Sequence, residues 1–105
     1  MFHGFGLEIY HNIYKYEGFH YMGRHHAYGI LSFLDGENYD GEFLHGKKQG
    51  HGICTWNTGE KYEGQFKNNM IHGIGIIHQL GKKQRKSEWR EDEHIRFIDS
   101  SNNLD

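Results

Sequence analysis

The sequence predicts an all-β fold: an elongated single antiparallel sheet of consecutive hairpins, in about eight short strands. Three observations carry this expectation. Three segments, beginning at Tyr16, Tyr39 and Tyr62, align without gaps at a period of 23 residues. Glycine and aromatic residues recur at fixed places within that period. Proline is absent, which permits uninterrupted strand pairing.

The chain opens within a unit, because HGFGLEIYHNIYK from His3 matches the second half of the period. Residues 1–90 then form the array: a half repeat at 3–15, repeats at 16–38, 39–61 and 62–84, and a degenerate capping strand at 85–90. In that last piece RKSEW falls in register with YEGQF, which places Trp89 below Phe43 and Phe66. Residues 91–105 form a C-terminal tail, whose HIRFI stretch reads as a last strand or a short helical turn and whose SSNNLD end reads as frayed. Starting half a repeat in leaves an exposed first edge, so either a partner pairs there or further repeats precede it.

Each unit reads strand, turn, strand, turn. YEGQF and HGIGIIH alternate as half-buried strands do, with successive side chains on opposite faces. HGKKQ or KNNMI lies between the strands, and LDGEN or NTGEK follows them. Asp35-Gly36 and Thr58-Gly59 are hairpin chemistry, since glycine accepts a positive φ without steric cost. Gly18, Gly41 and Gly64 share one column, Gly6, Gly29, Gly52 and Gly75 another, and Gly4, Ala27, Gly50 and Gly73 a third, in which Ala27 is the lapse. Glycine weakens a strand, so its recurrence beside aromatic residues implies rings lying across backbone left bare on the neighbouring strand. The aliphatic share is low and aromatics make up 15% of the chain, so Tyr and Phe supply much of the buried area.

Y-E-G-x-(F/W)-x-x-x-x-x-x-G-x-G at this spacing closely resembles the membrane occupation and recognition nexus, or MORN, repeat, over roughly residues 3–81. The departures are local: Phe19 and His20 invert the usual polar-then-aromatic order, Ala27 replaces a glycine, and the final unit lacks its Tyr and Gly. The resemblance implies a non-catalytic scaffold or protein-interaction module, an accessory subunit of a cytoskeletal, ciliary or axonemal, or other multi-protein assembly. It also carries an alternative, the binding of anionic membrane lipids.

Composition narrows the classes. Lys and Arg number 12 against 14 Asp and Glu, for a formal charge of −2, so the basic excess of a nucleic-acid binder is missing. No apolar run approaches the ~18 residues of a membrane-spanning helix. The opening MFHGFGLEIY lacks the basic region and clean apolar core of a secretory signal. The single Cys54 excludes an internal disulfide and suits an intracellular, reducing setting.

The expected partner-contact residues are the aromatic columns: Tyr10, Phe33 and Trp56; Tyr16, Tyr39 and Tyr62; Phe43, Phe66 and Trp89. Each of them is equally a core candidate. Lys82, Lys83, Arg85 and Lys86 are the expected contacts for an anionic lipid surface, offset by Glu91, Asp92 and Glu93. No cofactor and no small-molecule substrate are expected. Cys54 shares a column with Leu31 and Ile77 and reads as a small buried side chain rather than a nucleophile. His3, His26 and His72 share a column with Gln49, but equivalent positions lie two strands, roughly 9.5 Å, apart. Ligands of one zinc ion must approach each other far more closely, so that column is not a metal site.

Overall fold

Residues 4–98 are described by the structure, a computed structural model. The alternation of apolar and polar residues within each unit gives strands β1 (Gly4–Tyr10), β2 (Tyr14–Tyr21), β3 (Arg24–Phe33), β4 (Asn38–Leu44), β5 (Lys47–Thr55), β6 (Lys61–Lys67), β7 (Met70–His78), β8 (Arg85–Arg90) and β9 (Glu93–Phe97). Every strand pairs antiparallel with the next, in one open sheet in sequence order. The array measures 53 × 23 × 18 Å, elongated as a one-dimensional stack requires. It has nine strands rather than about eight, because the HIRFI stretch of the tail forms β9 and pairs with β8. The SSNNLD end and His3 lie outside the described residues.

Two kinds of turn alternate. Within a unit the strands meet at two-residue turns, Met22-Gly23, His45-Gly46, Asn68-Asn69 and Glu91-Asp92, with both residues at positive φ. This is the primed turn whose twist matches that of the flanking strands. It is tighter than the HGKKQ and KNNMI loops read from the sequence, and it moves Lys47 and Lys48 into β5 and Met70 and Ile71 into β7. Between units the links are longer, and Gly36 and Gly59 there take φ of 102° and 96°.

The register aligns the glycines of successive strands into one row: Gly6, Gly18, Gly29, Gly41, Gly52, Gly64 and Gly75, ending at Ser87. Across that row lie the tyrosine rings. A Cβ on Gly52 would sit 2.5 Å from the Tyr39 ring, and Gly29 and Gly75 stand likewise to Tyr16 and Tyr62. Each hydroxyl then donates to the carbonyl three residues on, Tyr16 to Phe19 at 2.7 Å, Tyr39 to Glu42 at 2.7 Å and Tyr62 to Gln65 at 3.0 Å. The rings continue edge to face along the array, from Tyr16 to Phe43 (5.4 Å between centroids), Phe43 to Tyr39 (5.1 Å), Tyr39 to Phe66 (5.0 Å), Phe66 to Tyr62 (5.3 Å) and Tyr62 to Trp89 (6.0 Å). That geometry suits the positive edge and negative face of aromatic rings. Together with Leu31 and Cys54 these rings are the core.

Candidate interaction surfaces

The structure divides the nine aromatic residues expected at a contact face. Tyr16, Tyr39 and Tyr62 have no exposed surface, and Phe43 and Phe66 keep 5% or less. A side chain buried to that degree cannot touch a partner without leaving the core, so these five hold the array together. Phe33, Trp56 and Trp89 pack half-buried against that core, and Tyr10 is 46% exposed. Burial also raises the pKa of the core phenols: Tyr62 is pushed up to about 12, and Tyr39 rises further, with Glu42 adding to the effect of burial.

The apolar surface that is exposed belongs elsewhere. Phe5, Leu7 and Ile9 alternate along β1 and point away from the core side, 64%, 59% and 64% exposed. Phe19 pairs with Phe5 across the β1–β2 ladder, with ring centroids 5.3 Å apart. Around the first turn, Ile13 and Leu34 extend this surface, joined by the Leu34 N–H donating to the Ile13 carbonyl at 2.9 Å. Ile9, Ile13, Tyr14, Phe33 and Leu34 line a shallow cleft there. Column reading missed this face because it looked for residues shared by all units. The signal was in the departure, since Phe19 stands where the later units carry Glu42 and Gln65.

The histidine column has a structural task. The His45 N–H donates to Nδ1 of His26 (3.5 Å), that of Asn68 to Oε1 of Gln49 (3.1 Å), and that of Glu91 to Nδ1 of His72 (3.3 Å). The second residue of each of these three turns donates its N–H to a carbonyl of the preceding unit: Gly46 to His25, Asn69 to Lys48 and Asp92 to Ile71. The column therefore fastens each turn to the unit before it.

The four basic residues do not form one patch. Lys82, Lys83 and Arg85 line a cavity at the C-terminal end with Ser87, Trp89 and Phe97, and the Arg85 guanidinium lies 3.7 Å from the centre of the Phe97 ring. The Trp89 Nε1 atom is buried there without a hydrogen-bond acceptor among the described residues. Lys86, next along β8, pairs with Ile76 and faces the opposite side.

Two further groups bear on chemistry. Burial pushes the Cys54 thiol up to about 11, away from the thiolate a nucleophile needs. At the other end of the core, Glu8, His20 and His25 meet across three strands. His25 Nε2 lies 2.8 Å and His20 Nε2 3.8 Å from the same oxygen of Glu8, Oε1. Adjacent-strand partners His20 and His25 were not weighed together in the sequence, where only equivalent positions two strands apart were compared.

A family comparison picks out the part of the glycine row and crossed rings that runs from Tyr39 to Gly75. The MORN repeat model matches residues 39–61 and 62–78, which are β4 to β7 with their links. No curated protein matches the chain. The unit from Tyr16 carries the same columns with the local departures noted above, and the chain carries MORN repeats at residues 39–61 and 62–78.

Proposed function

We propose that this chain is a non-catalytic protein-interaction module, an accessory structural subunit of a larger intracellular assembly of the cytoskeletal, ciliary or axonemal kind, bound through its first hairpin. MORN repeats are in general modules for interaction with proteins or membranes. The observation that supports the finer reading is the exposed face of β1. Phe5, Leu7 and Ile9 lie on β1, which among the described residues is an edge strand with unpaired backbone groups beside apolar side chains. Natural sheets normally blunt such an edge with charge or cover it. A partner that adds a strand, or lays an apolar helix face over Leu7 and Phe19, would cover both features.

The test is a pull-down of the full chain, tagged at its C-terminus, from its own cells, alongside the Leu7→Glu/Ile9→Lys variant. A defined set of proteins recovered in stoichiometric amounts with the parent and lost with the variant supports the reading, and their identity names the compartment. The same set on both chains, or none on either, overturns it.

A second reading, contact with anionic lipid, is supported by the end cavity where Lys82, Lys83 and Arg85 converge beside the indole N–H of Trp89. Vesicles containing phosphatidylserine should then bind the chain in a salt-sensitive way, and Lys82→Gln/Lys83→Gln should weaken binding at least several-fold. Binding that survives those substitutions ends this reading.

A further inference from the structure

We propose that Glu8, His20 and His25 form a binding site for a borderline divalent transition metal, zinc above all, held by two imidazole nitrogens and one carboxylate oxygen. The three ligand atoms lie within 4.8 Å of one another. Bound to zinc at about 2.0–2.2 Å in tetrahedral geometry, they would stand roughly 3.4 Å apart. Small side-chain rotations therefore close the site.

The first support is convergence. Both imidazoles address one oxygen, Oε1 of Glu8, from two different strands. The second is preparation of the ligands. The His25 ring stacks on Tyr16 at 3.7 Å between centroids and 8° between planes, and His20 meets the same Tyr16 ring edge to face at 5.0 Å. The Tyr14 hydroxyl donates to the other oxygen of Glu8, Oε2, at 3.5 Å, which orients the carboxylate as outer partners of metal ligands do.

The third support is the repeat itself. Glu8 occupies the column of Leu31, Cys54 and Ile77, and His20 that of Phe43, Phe66 and Trp89. Lys48, Ile71 and His94 stand in the column of His25. Three polar donors thus replace the residues of the later units at neighbouring core-side positions, and all three point to one place. The side chains of His20 and His25 are only 8% and 16% exposed, whereas Glu8 is 40% exposed. The ion would be held at the mouth of the core with its fourth position open to water or to a donor from outside. Two nitrogens and one oxygen suit zinc, cobalt or nickel; magnesium and calcium take oxygen ligands.

The site is independent of the proposed partner, because it is read on the isolated chain. The experiment strips the full chain with a chelator, adds zinc chloride, desalts, and measures retained zinc by elemental analysis; cobalt(II) absorption reports the coordination. One zinc per chain is expected, with a rise in melting temperature. Glu8→Leu, His20→Phe and His25→Lys each install a residue that the array already uses in that column, so folding is expected to survive and is checked by circular dichroism. Each should weaken zinc binding by more than about 100-fold, since loss of an outer partner alone costs about 10–100-fold. Tyr14→Phe should weaken it by about 10-fold, and His51→Gln, away from the site, should leave it unchanged. Absence of stoichiometric zinc on the parent chain overturns the proposal. Equal retention by the parent and a Glu8→Leu/His20→Phe/His25→Lys variant does so too, by assigning the metal to other histidines.

Discussion

The first unit, β2 and β3 with β1 before them, and the two units of β4 to β7 share one 23-residue plan but treat the same bulge differently. In the later units the ladder shifts after Gly41 and Gly64, and the extra residues on the partner strand include Gly50 and Gly73 at positive φ. Glu42 and Gln65 reach over those glycines and accept the N–H of His51 (2.9 Å) and Ile74 (2.8 Å). A Cβ on Gly50 would sit 2.0 Å from the Glu42 carboxylate. In the first unit Ala27 holds the same position at φ 66°, and Phe19, which has no acceptor, replaces the reaching side chain. The two exchanges belong together. Without a side chain folded over the bulge there is room for a methyl group, and Phe19 is left free to join Phe5 on the outer surface. His20 then takes the core-side place of Phe43 and Phe66. The regular units spend their side chains on holding each other, whereas the first unit turns aromatic surface outward and polar donors inward.

The contrast can be broken most severely in the regular units. Gly52→Ala puts a methyl into the Tyr39 ring. It should destabilise the chain by about 3 kcal/mol or more, the upper range for overpacking, which for so small a domain approaches complete unfolding. Urea denaturation followed by tryptophan fluorescence measures it, and a loss below about 1 kcal/mol would mean the ring can move off the glycine row.

The core phenols of all three units, Tyr16 included, should also set the alkaline limit. Tyr39 and Tyr62 ionise in the unfolded chain near the ordinary phenol value of 10, but in the folded chain only at about 12 for Tyr62 and higher for Tyr39. Cys54 rises from 9 to about 11 in the same way. Where the folded state binds more protons than the unfolded one, stability falls as pH rises. Their contribution is therefore complete below pH 9 and is lost progressively above it, through about pH 12 for Tyr62 and higher still for Tyr39. Thermal melts from pH 8 to pH 11.5 should fall progressively, and Tyr62→Phe should flatten the upper part of that fall.

Imposing the regular plan on the first unit should have a smaller effect, of the opposite sign. Glu8→Leu with His20→Phe, in metal-free buffer, replaces a partly buried polar cluster with hydrocarbon and should stabilise by about 1–2 kcal/mol. A loss of stability would show that the cluster itself holds β1 in place. The smallest change is Ala27→Gly. Relief of the left-handed conformation is offset by greater freedom of the unfolded chain, so the net effect should stay within about 1 kcal/mol. A larger gain would mean that Ala27 strains the first bulge beyond its left-handed φ.

These differences explain which parts could be read from the sequence. The tyrosine and glycine columns are visible because one arrangement is written three times, and the ring lying across a bare strand follows from that repetition. The sheet's hairpin order follows from the same source. The cluster of Glu8, His20 and His25 was hidden because it depends on pairing within a hairpin, and that pairing is set by the two-residue turn at Met22-Gly23. A five-residue loop there, of the length of HGKKQ or KNNMI, would have shifted the register. The outward-facing apolar residues of β1 were hidden for a related reason. Leu7 shares its column with Ile30, Ile53 and Ile76, yet those three are half-buried, while β1, which carries Leu7, is flanked on one side only among the described residues.

The turn fastenings give the array a direction. The turns at His45-Gly46, Asn68-Asn69 and Glu91-Asp92 each donate two backbone N–H groups to the unit on their N-terminal side, and in return only the Asn69 and Asp92 side chains accept one, from Lys48 (2.9 Å) and Ile71 (2.8 Å). A unit added at the C-terminal end finds its acceptors already in place, as a zip closes onto teeth that have been set. A unit deprived of its predecessor instead keeps donors with nowhere to point but water. Order in such a chain should spread from the first hairpin toward the last, and an array of any length built this way has a leading and a trailing end even though its repeats are alike.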